Sequence, residues 1–480
     1  MKMTTAIIRS AQLFFLIAMS ILTTHGCSKK DNPVSTDNDD IPKKTGGIEI
    51  TVFDFYNNPL AAAKVYTIPP TKTDSTNPSG VAILKDIPIG DYRVLADKTG
   101  YESNEIQIGV KENEIKKTTL TLKQKLSVNI KLNYLKIFSG RDSAIGESII
   151  ETNDGGYLIA GELGLFGGQI YLIKTDAEGN ELWNKTFGKG EVQFVQVTDD
   201  GGFIITGRVQ KAGATFDYDI LLLKVNQSGD EEWRKTFDIF STDDGKCVQQ
   251  TRDGGYILAT SSKAIIKTDG HGNEIWQRSF HYGGPVNWNS IEVTRDNNFI
   301  ATGTENNEKI ILTKLDSNGN ELWYNKYGSF GASWAGNLKE TRTGAYSVTG
   351  TTNITDTHLA IKDWKGDVYL FKTDPNGNKF WERSFSKATR LEQGRAVVET
   401  GDGGYLIASD TYGSSDDFTD IWIIKTDDLG NLKADKTFGR NRSDVCYDMR
   451  QTKSGSFIIT GWSRSQDEKN EIMLLKVDVE

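Results

Sequence analysis

From residue 142 onward, short apolar runs alternate with polar turns in a pattern that recurs seven times. The recurring pattern is Thr-x-Asp-Gly-Gly-aromatic, two apolar residues, Ala or Thr, then Gly. After a variable gap comes apolar-apolar-Lys-x-Asp-x-x-Gly, then Trp, then an aromatic residue four positions on. The Thr column is Thr152, Thr198, Thr251, Thr294, Thr341, Thr400 and Thr452. An apolar residue precedes each by three positions, from Ile149 to Met449, and an aromatic follows by five, from Tyr157 to Phe457. The Lys column is Lys174, Lys224, Lys267, Lys314, Lys372, Lys425 and Lys476. Runs this short, bounded by Gly-rich turns, predict strands. Strand a ends at the Thr, and Asp-Gly-Gly makes a tight hairpin to strand b, since Gly accepts positive φ. Strand c ends at Lys-x-Asp, and Asp-x-x-Gly turns the chain into strand d, which carries Trp183, Trp233, Trp276, Trp323 or Trp381. Two departures stand out: Ala434 is in the Trp column, predicting looser packing there, and Thr260 replaces a Gly.

The seventh unit ends at Asp478, directly after strand c. The missing strand is at the other end of the pattern, where Tyr134-Leu135-Lys136-Ile137-Phe138 matches the aromatic spacing of Trp183-Asn184-Lys185-Thr186-Phe187. Residues 132–138 are therefore expected to supply strand d of the last unit, a split that favours a closed ring over an open solenoid. The units resemble bacterial and archaeal secreted propellers built of DGGY and KxDxxGxxxW repeats. That resemblance implies a fold and is silent on chemistry. The expected class is all-β: a small β-sandwich followed, over residues 131–480, by a seven-bladed β-propeller of four-stranded blades, the last blade closed by residues 132–138.

Residues 46–124 carry a separate pattern. Pro59-Leu60, Thr76, Gly80, Gly90-Asp91-Tyr92-Arg93-Val94 and Gly100-Tyr101 resemble the carboxypeptidase-regulatory-like family, a transthyretin-like β-sandwich. The resemblance implies a spacer or interaction module, without peptidase activity. The segment has no His and no Cys. Ahead of it, Lys2 and Arg9 flank an apolar run, Ala11 to Leu22, too short to span a bilayer. Gly26-Cys27 then resembles a lipobox, with Thr24 and His25 departing from the usual residues. The reading is a signal peptide over residues 1–26, lipidation at Cys27 and a flexible tether over 27–45, almost without apolar residues. It implies a bacterial cell-envelope protein, an outer-membrane lipoprotein facing the periplasm or the surface and held to the membrane by its lipid anchor.

Charge and composition remove several classes. A net charge of −9 argues against nucleic acid, which needs a basic face. Cys247 and Cys446 fall in distant units and are expected as buried free thiols. His271, His281 and His358 are a poor supply for a zinc site, so no metal and no cofactor are expected. The Asp-x-x-Gly turns lack the alternating carboxylates of a calcium loop. A Lys repeated seven times at one strand position reads as structural, its stem covering an aromatic and its ammonium reaching water. No catalytic residues are assigned.

The a–b and c–d turns share one face and are uniform; the d–a and b–c loops share the other and vary, which points to binding on the d–a/b–c face. Trp288, Trp334, Trp364 and Trp462 fall outside the repeat columns near that face and are the candidate ligand-binding residues. The expected function is non-catalytic binding of a glycan or an envelope protein. The alternative is a secreted polysaccharide hydrolase or lyase with carboxylates at the propeller mouth.

Overall fold

The computed structural model describes residues 44–54, 58–122, 128–138, 142–164, 168–211, 213, 217–240, 242–328, 332–355, 365–387, 391–412 and 418–480. The expected signal peptide, Cys27 and Trp364 lie outside the described residues, as does the expected tether up to residue 43. The chain divides into two compact units, Met1–Leu126 and Ser127–Glu480. Among the described residues every regular element is a strand, and no helix is long and apolar enough to cross a membrane.

In the first unit, Thr45–Asp54 pairs with Val81–Pro88 antiparallel and with Ile115–Leu122 in parallel. A four-stranded sheet runs Thr73–Ser75, Lys64–Ile68, Gly90–Asp97, Asn104–Val110. Alternation along these strands sends Ile48, Ile50 and Val52 from one sheet and Val65, Val94 and Ala96 from the other into one apolar cluster.

The second unit holds seven four-stranded antiparallel sheets, each ordered a-b-c-d. Sheet 1 is Ala144–Glu151, Tyr157–Leu163, Gln169–Thr175 and Glu181–Lys189; sheet 2 is Glu191–Val197, Phe203–Gln210, Tyr218–Val225 and Glu231–Phe237. Sheet 3 is Gly245–Gln250, Tyr256–Thr260, Ala264–Thr268 and Glu274–Ser279; sheet 4 is Val286–Val293, Phe299–Glu305, Lys309–Leu315 and Glu321–Tyr327. Sheet 5 is Ala332–Glu340, Tyr346–Thr355, Lys365–Thr373 and Lys379–Phe385; sheet 6 is Gln393–Glu399, Tyr405–Tyr412, Thr419–Thr426 and Leu432–Phe438. Sheet 7 joins Asp444–Gln451, Phe457–Arg464 and Asn470–Val479 to Ile130–Phe138, its strand d, which pairs from Ile472↔Phe138 to Val479↔Ile130. Strand b of each sheet packs against strand a of the next, and strand b of sheet 7 against strand a of sheet 1. A buried link crosses that last junction: Asp448 accepts from Ser148 Oγ at 2.7 Å and from the Ile149 amide at 3.2 Å.

The repeat columns have physical reasons. The strand-d rings lie over the c–d turn of the following sheet. A Cβ on Gly229, Gly377 or Gly430 would come within 2.5–2.6 Å of Trp183, Trp323 or Trp381, so glycine is required both for its positive φ and for the ring above it. Tyr134 of sheet 7 covers Gly179 of sheet 1 in the same way. Ala434 corrects the expectation of looser packing. Sheet 7 has no c–d turn, because its strand d comes from the other end of the pattern, so no turn glycine waits for a ring at this position. Ala434 instead packs on the cluster containing Ile130 and Val477.

The Lys column also needs correcting. Lys174, Lys224, Lys267, Lys314 and Lys425 are only 2–8% exposed. Their ammonium groups pair with the Asp of their own a–b turn, Asp154, Asp200, Asp253, Asp296 and Asp402, at 2.7–3.0 Å. They do not reach water freely: they tie the two turns at one end of each sheet together. The second Gly of the turn makes room, since a Cβ on Gly156 would lie 2.6 Å from Lys174 Nζ. Partial burial alone would raise the Asp154 carboxyl, but hydrogen bonds from Thr152, Lys174 and the Gly156 amide outweigh it and lower the group to about 2. Sheets 5 and 7 have Thr343 and Ser454 in place of the Asp. There Lys372 lies over the Tyr405 ring and Lys476 donates to the Tyr157 hydroxyl at 2.9 Å.

Candidate functional site

One irregularity recurs in all seven sheets. Strand a carries one more residue than strand b opposite it, a β-bulge in mid-strand. In sheet 1, Ser148 pairs with Ala160 and Gly146 with Gly161, leaving Glu147 unpaired. The same skip leaves out Gln193, Lys246, Asn289, Arg395 and Tyr447, and in sheet 5 Gly336-Asn337 stand opposite a single residue. A bulge re-aims the side chain it frees.

These freed residues meet. Glu147, Gln193, Lys246, Asn289, Gly336, Asn337, Arg395 and Tyr447 all line one cavity of about 420 Å³, so every sheet contributes its strand a. The volume lies within the range of small-ligand sites. Further lining comes from the beginnings of strands a (Asn287, Trp334, Gln393), from strand b (Thr304, Thr351) and from Asn307 in a b–c turn; no Asp-Gly-Gly turn contributes. The site therefore belongs to the d–a/b–c end of the sheets.

Its electrostatics are largely settled internally. Lys246 pairs with Asp244 at 2.5 Å and donates to Gln193 Oε1 at 3.1 Å. Arg395 pairs with the buried Asp410 at 2.7 Å and donates to Gln393 Oε1 at 2.5 Å, with its guanidinium 5.2 Å from the Tyr447 ring centroid. Asp448 accepts from Ser148, Ile149, Met449 and Arg450. Burial pushes the Tyr447 hydroxyl and the Cys247 thiol up, to about 12 and about 11. Glu147 is different: it has no hydrogen bond or ion pair among the described residues. Burial pushes its carboxyl up to about 8; Lys246 and Arg395 pull it down, while Glu162 and Asp244 push it further up. Cys247 and Cys446 are both buried and unpaired. Among the described residues no group of three or more His, Cys, Asp or Glu is placed to hold a metal.

The four candidate tryptophans separate. Trp334 lines the cavity. Trp462 is half-buried and one step removed, its Nε1 donating to the Tyr447 hydroxyl at 3.3 Å. Trp364 lies outside the described residues. Trp288 is corrected: it is 0% exposed and packs edge-on against Phe280 and Tyr282, at 5.9 and 6.3 Å between ring centroids. No ligand can reach it in this arrangement. The bulge column itself was missed. Its signal is visible: the position after the column of Gly146, Val192 and Gly245 reads Glu, Gln, Lys, Asn, Gly, Arg, Tyr, and it is followed by two successive residues, such as Ser148-Ile149 and Cys247-Val248, that strict alternation would not both bury.

No family model matches the chain, and no curated protein matches it in sequence. Among solved structures it is similar to a protein of unknown function from Bacteroides caccae, solved at 1.35 Å, with 12% identity and a TM-score of 0.36, over 54% of this chain and 83% of that one. A likeness this weak adds nothing to the fold or the site.

Proposed function

We propose that the protein is a non-catalytic, envelope-anchored binding protein that takes a glycan in the cavity of its second unit. The proposed architecture is a seven-bladed β-propeller preceded by a carboxypeptidase-regulatory-like β-sandwich, with a lipid on Cys27 as the anchor. The propeller reading is supported by the packing of sheet 7 against sheet 1 and by a cavity to which all seven strands a contribute. The anchor rests on the leader sequence alone. Cys27→Ser is expected to move the protein from the membrane fraction to the soluble fraction; unchanged membrane association would remove the lipoprotein reading.

The observation that carries the function is the cavity lining. Asn287, Asn289, Asn307, Asn337, Gln193 and Gln393 put six amides around one space beside the indole of Trp334. Amides offer both a donor and an acceptor, which suits hydroxyls that also do both. An indole face offers a flat apolar platform for a sugar ring. Trp334→Ala is expected to weaken binding of the glycan identified on an array by about ten-fold or more, with the melting temperature nearly unchanged. Equal binding by the variant would remove Trp334 from the site. A protein partner is the other occupant consistent with a variable loop face.

The hydrolase or lyase reading has one observation in its favour, a carboxyl at Glu147 held protonated near neutral pH, as a general acid requires. Among the described residues the partner such chemistry needs is lacking. Asp448, the other carboxylate lining the cavity, is occupied by four hydrogen bonds that join sheets 7 and 1. Product analysis after incubation with the bound glycan separates the two readings.

A further inference from the structure

Two polar side chains in the cavity are unmatched among the described residues. Asn289 Oδ1 is buried without a hydrogen-bond partner among the described residues. The Glu147 carboxyl faces the same cavity from sheet 1, with no ion pair or hydrogen bond among the described residues. A buried acceptor left unpaired costs about 1–3 kcal/mol, so its donor is supplied by water or by a ligand entering the cavity. The cations of the cavity stand differently. Lys246 and Arg395 each hold a carboxylate of their own, Asp244 and Asp410. Neither is left to neutralise an acidic ligand.

We propose that the cavity selects an uncharged, hydroxyl-rich ligand, a neutral sugar residue, and that Glu147 and Asn289 read its hydroxyls from two different sheets. This rests on the glycan reading above. A sugar hydroxyl donates to Asn289 Oδ1. Another accepts from the carboxyl of Glu147, which burial keeps protonated up to about pH 8. A cationic ligand meets Lys246 and Arg395, whose carboxylates Asp244 and Asp410 are already committed to them, and gains a counter-charge only by drawing the proton from Glu147, with Glu162, Tyr447 and Asp448 behind it. The sign of the pH effect follows. The donor proton is present below about 8 and is lost as pH rises through that value. A ligand that displaces water from Glu147 makes ionisation harder still, so affinity falls with rising pH.

The test is calorimetric titration of the full chain with methyl glycosides of glucose, galactose and mannose, with glucuronate and glucosamine as the charged arms. At about pH 6.5, at least one neutral glycoside is expected to bind, and both charged sugars to bind about ten-fold more weakly or worse. Raising the pH to about 9.5 is expected to weaken neutral binding several-fold in the wild type, and Glu147→Gln to abolish that pH dependence. Glu147→Ala and Asn289→Ala are each expected to weaken binding about ten-fold, with melting curves checking that the variants are folded. Preference for glucosamine or glucuronate overturns the proposal. So does unchanged binding in both alanine variants while Trp334→Ala still abolishes it, an outcome that leaves the glycan reading standing. If no sugar in the panel binds the wild-type chain, the glycan reading and this proposal fall together.

Discussion

Deleting residues 131–139 is expected to leave the second unit unable to fold stably, with aggregation or rapid proteolysis as the readout. Those residues supply nearly all of strand d of sheet 7, which pairs along its length with Asn470–Val479. The two chain segments are also clasped at the end of the ladder, where the Asn129 and Glu480 backbones exchange hydrogen bonds at 2.8 and 3.0 Å. The deletion removes Phe138 from one core cluster, and Leu135 and Ile137 from the edge of another. At about 1.5–3 kcal/mol per buried apolar side chain, the loss approaches the whole stability of a typical domain, roughly 5–15 kcal/mol. It also bares a long, unpaired apolar edge, which is an aggregation template. Deleting residues 46–124 instead removes most of the separate compact unit and is expected to leave the melting transition of the second unit in place. Protease resistance of both products decides the matter; the reverse outcome would mean that the boundary between the units is misplaced.

Trp288→Ala is expected to cost about 3–5 kcal/mol of unfolding free energy, by removing a large side chain from a site that cannot collapse around the gap. Trp288 is among the largest fully buried side chains, and Phe280 and Tyr282 both pack on its face or edge. Its Nε1 has no partner among the described residues, so the wild type already carries an unsatisfied donor. Trp288→Phe removes that donor along with part of the ring and is expected to cost much less than the alanine change, about 1–2 kcal/mol. Urea denaturation of both variants beside Trp334→Ala gives the comparison. If Trp288→Ala proved as mild as Trp334→Ala, the packing described around sheet 4 would be wrong.

The sheets were readable because the columns that build them are repeated. Thr152 and its counterparts mark the hairpins, Lys174 and its counterparts mark the ends of strands c, and the match of Tyr134 to Trp183 located the displaced strand. What failed to read across was parity. A sequence argument assumes that neighbours two apart on a strand face the same way. The bulge in every strand a breaks that rule in mid-strand, so parity counted from the hairpin does not carry over to the residues before it. Trp288 shows the consequence: it shares its column with Gly146, Gly245 and Gly394, positions pressed against neighbouring backbone or side chains. Membership of that small-residue column, more than its distance from the repeat motif, indicated burial. The Lys–Asp pairs were hidden for another reason. Both partners are visible as columns, but Lys372 and Lys476 persist where the Asp is absent, so the two columns do not vary together. The leader and Trp364 lie outside the described residues.

The bulges carry a consequence for how such a protein changes over time. Each freed residue is skipped by the strand ladder, so its identity is decoupled from the pairing that holds its sheet together. The positions already hold an acid, two amides, two bases and a phenol on one repeated scaffold. Drift at these sites can redraw what the cavity accepts while the hairpins, turn glycines and buried lysines stay under separate constraint. A randomised library restricted to Glu147, Gln193, Asn289 and Tyr447, which leaves the Lys246–Asp244 and Arg395–Asp410 pairs intact, would sample new ligand preferences with little of the usual attrition from misfolding.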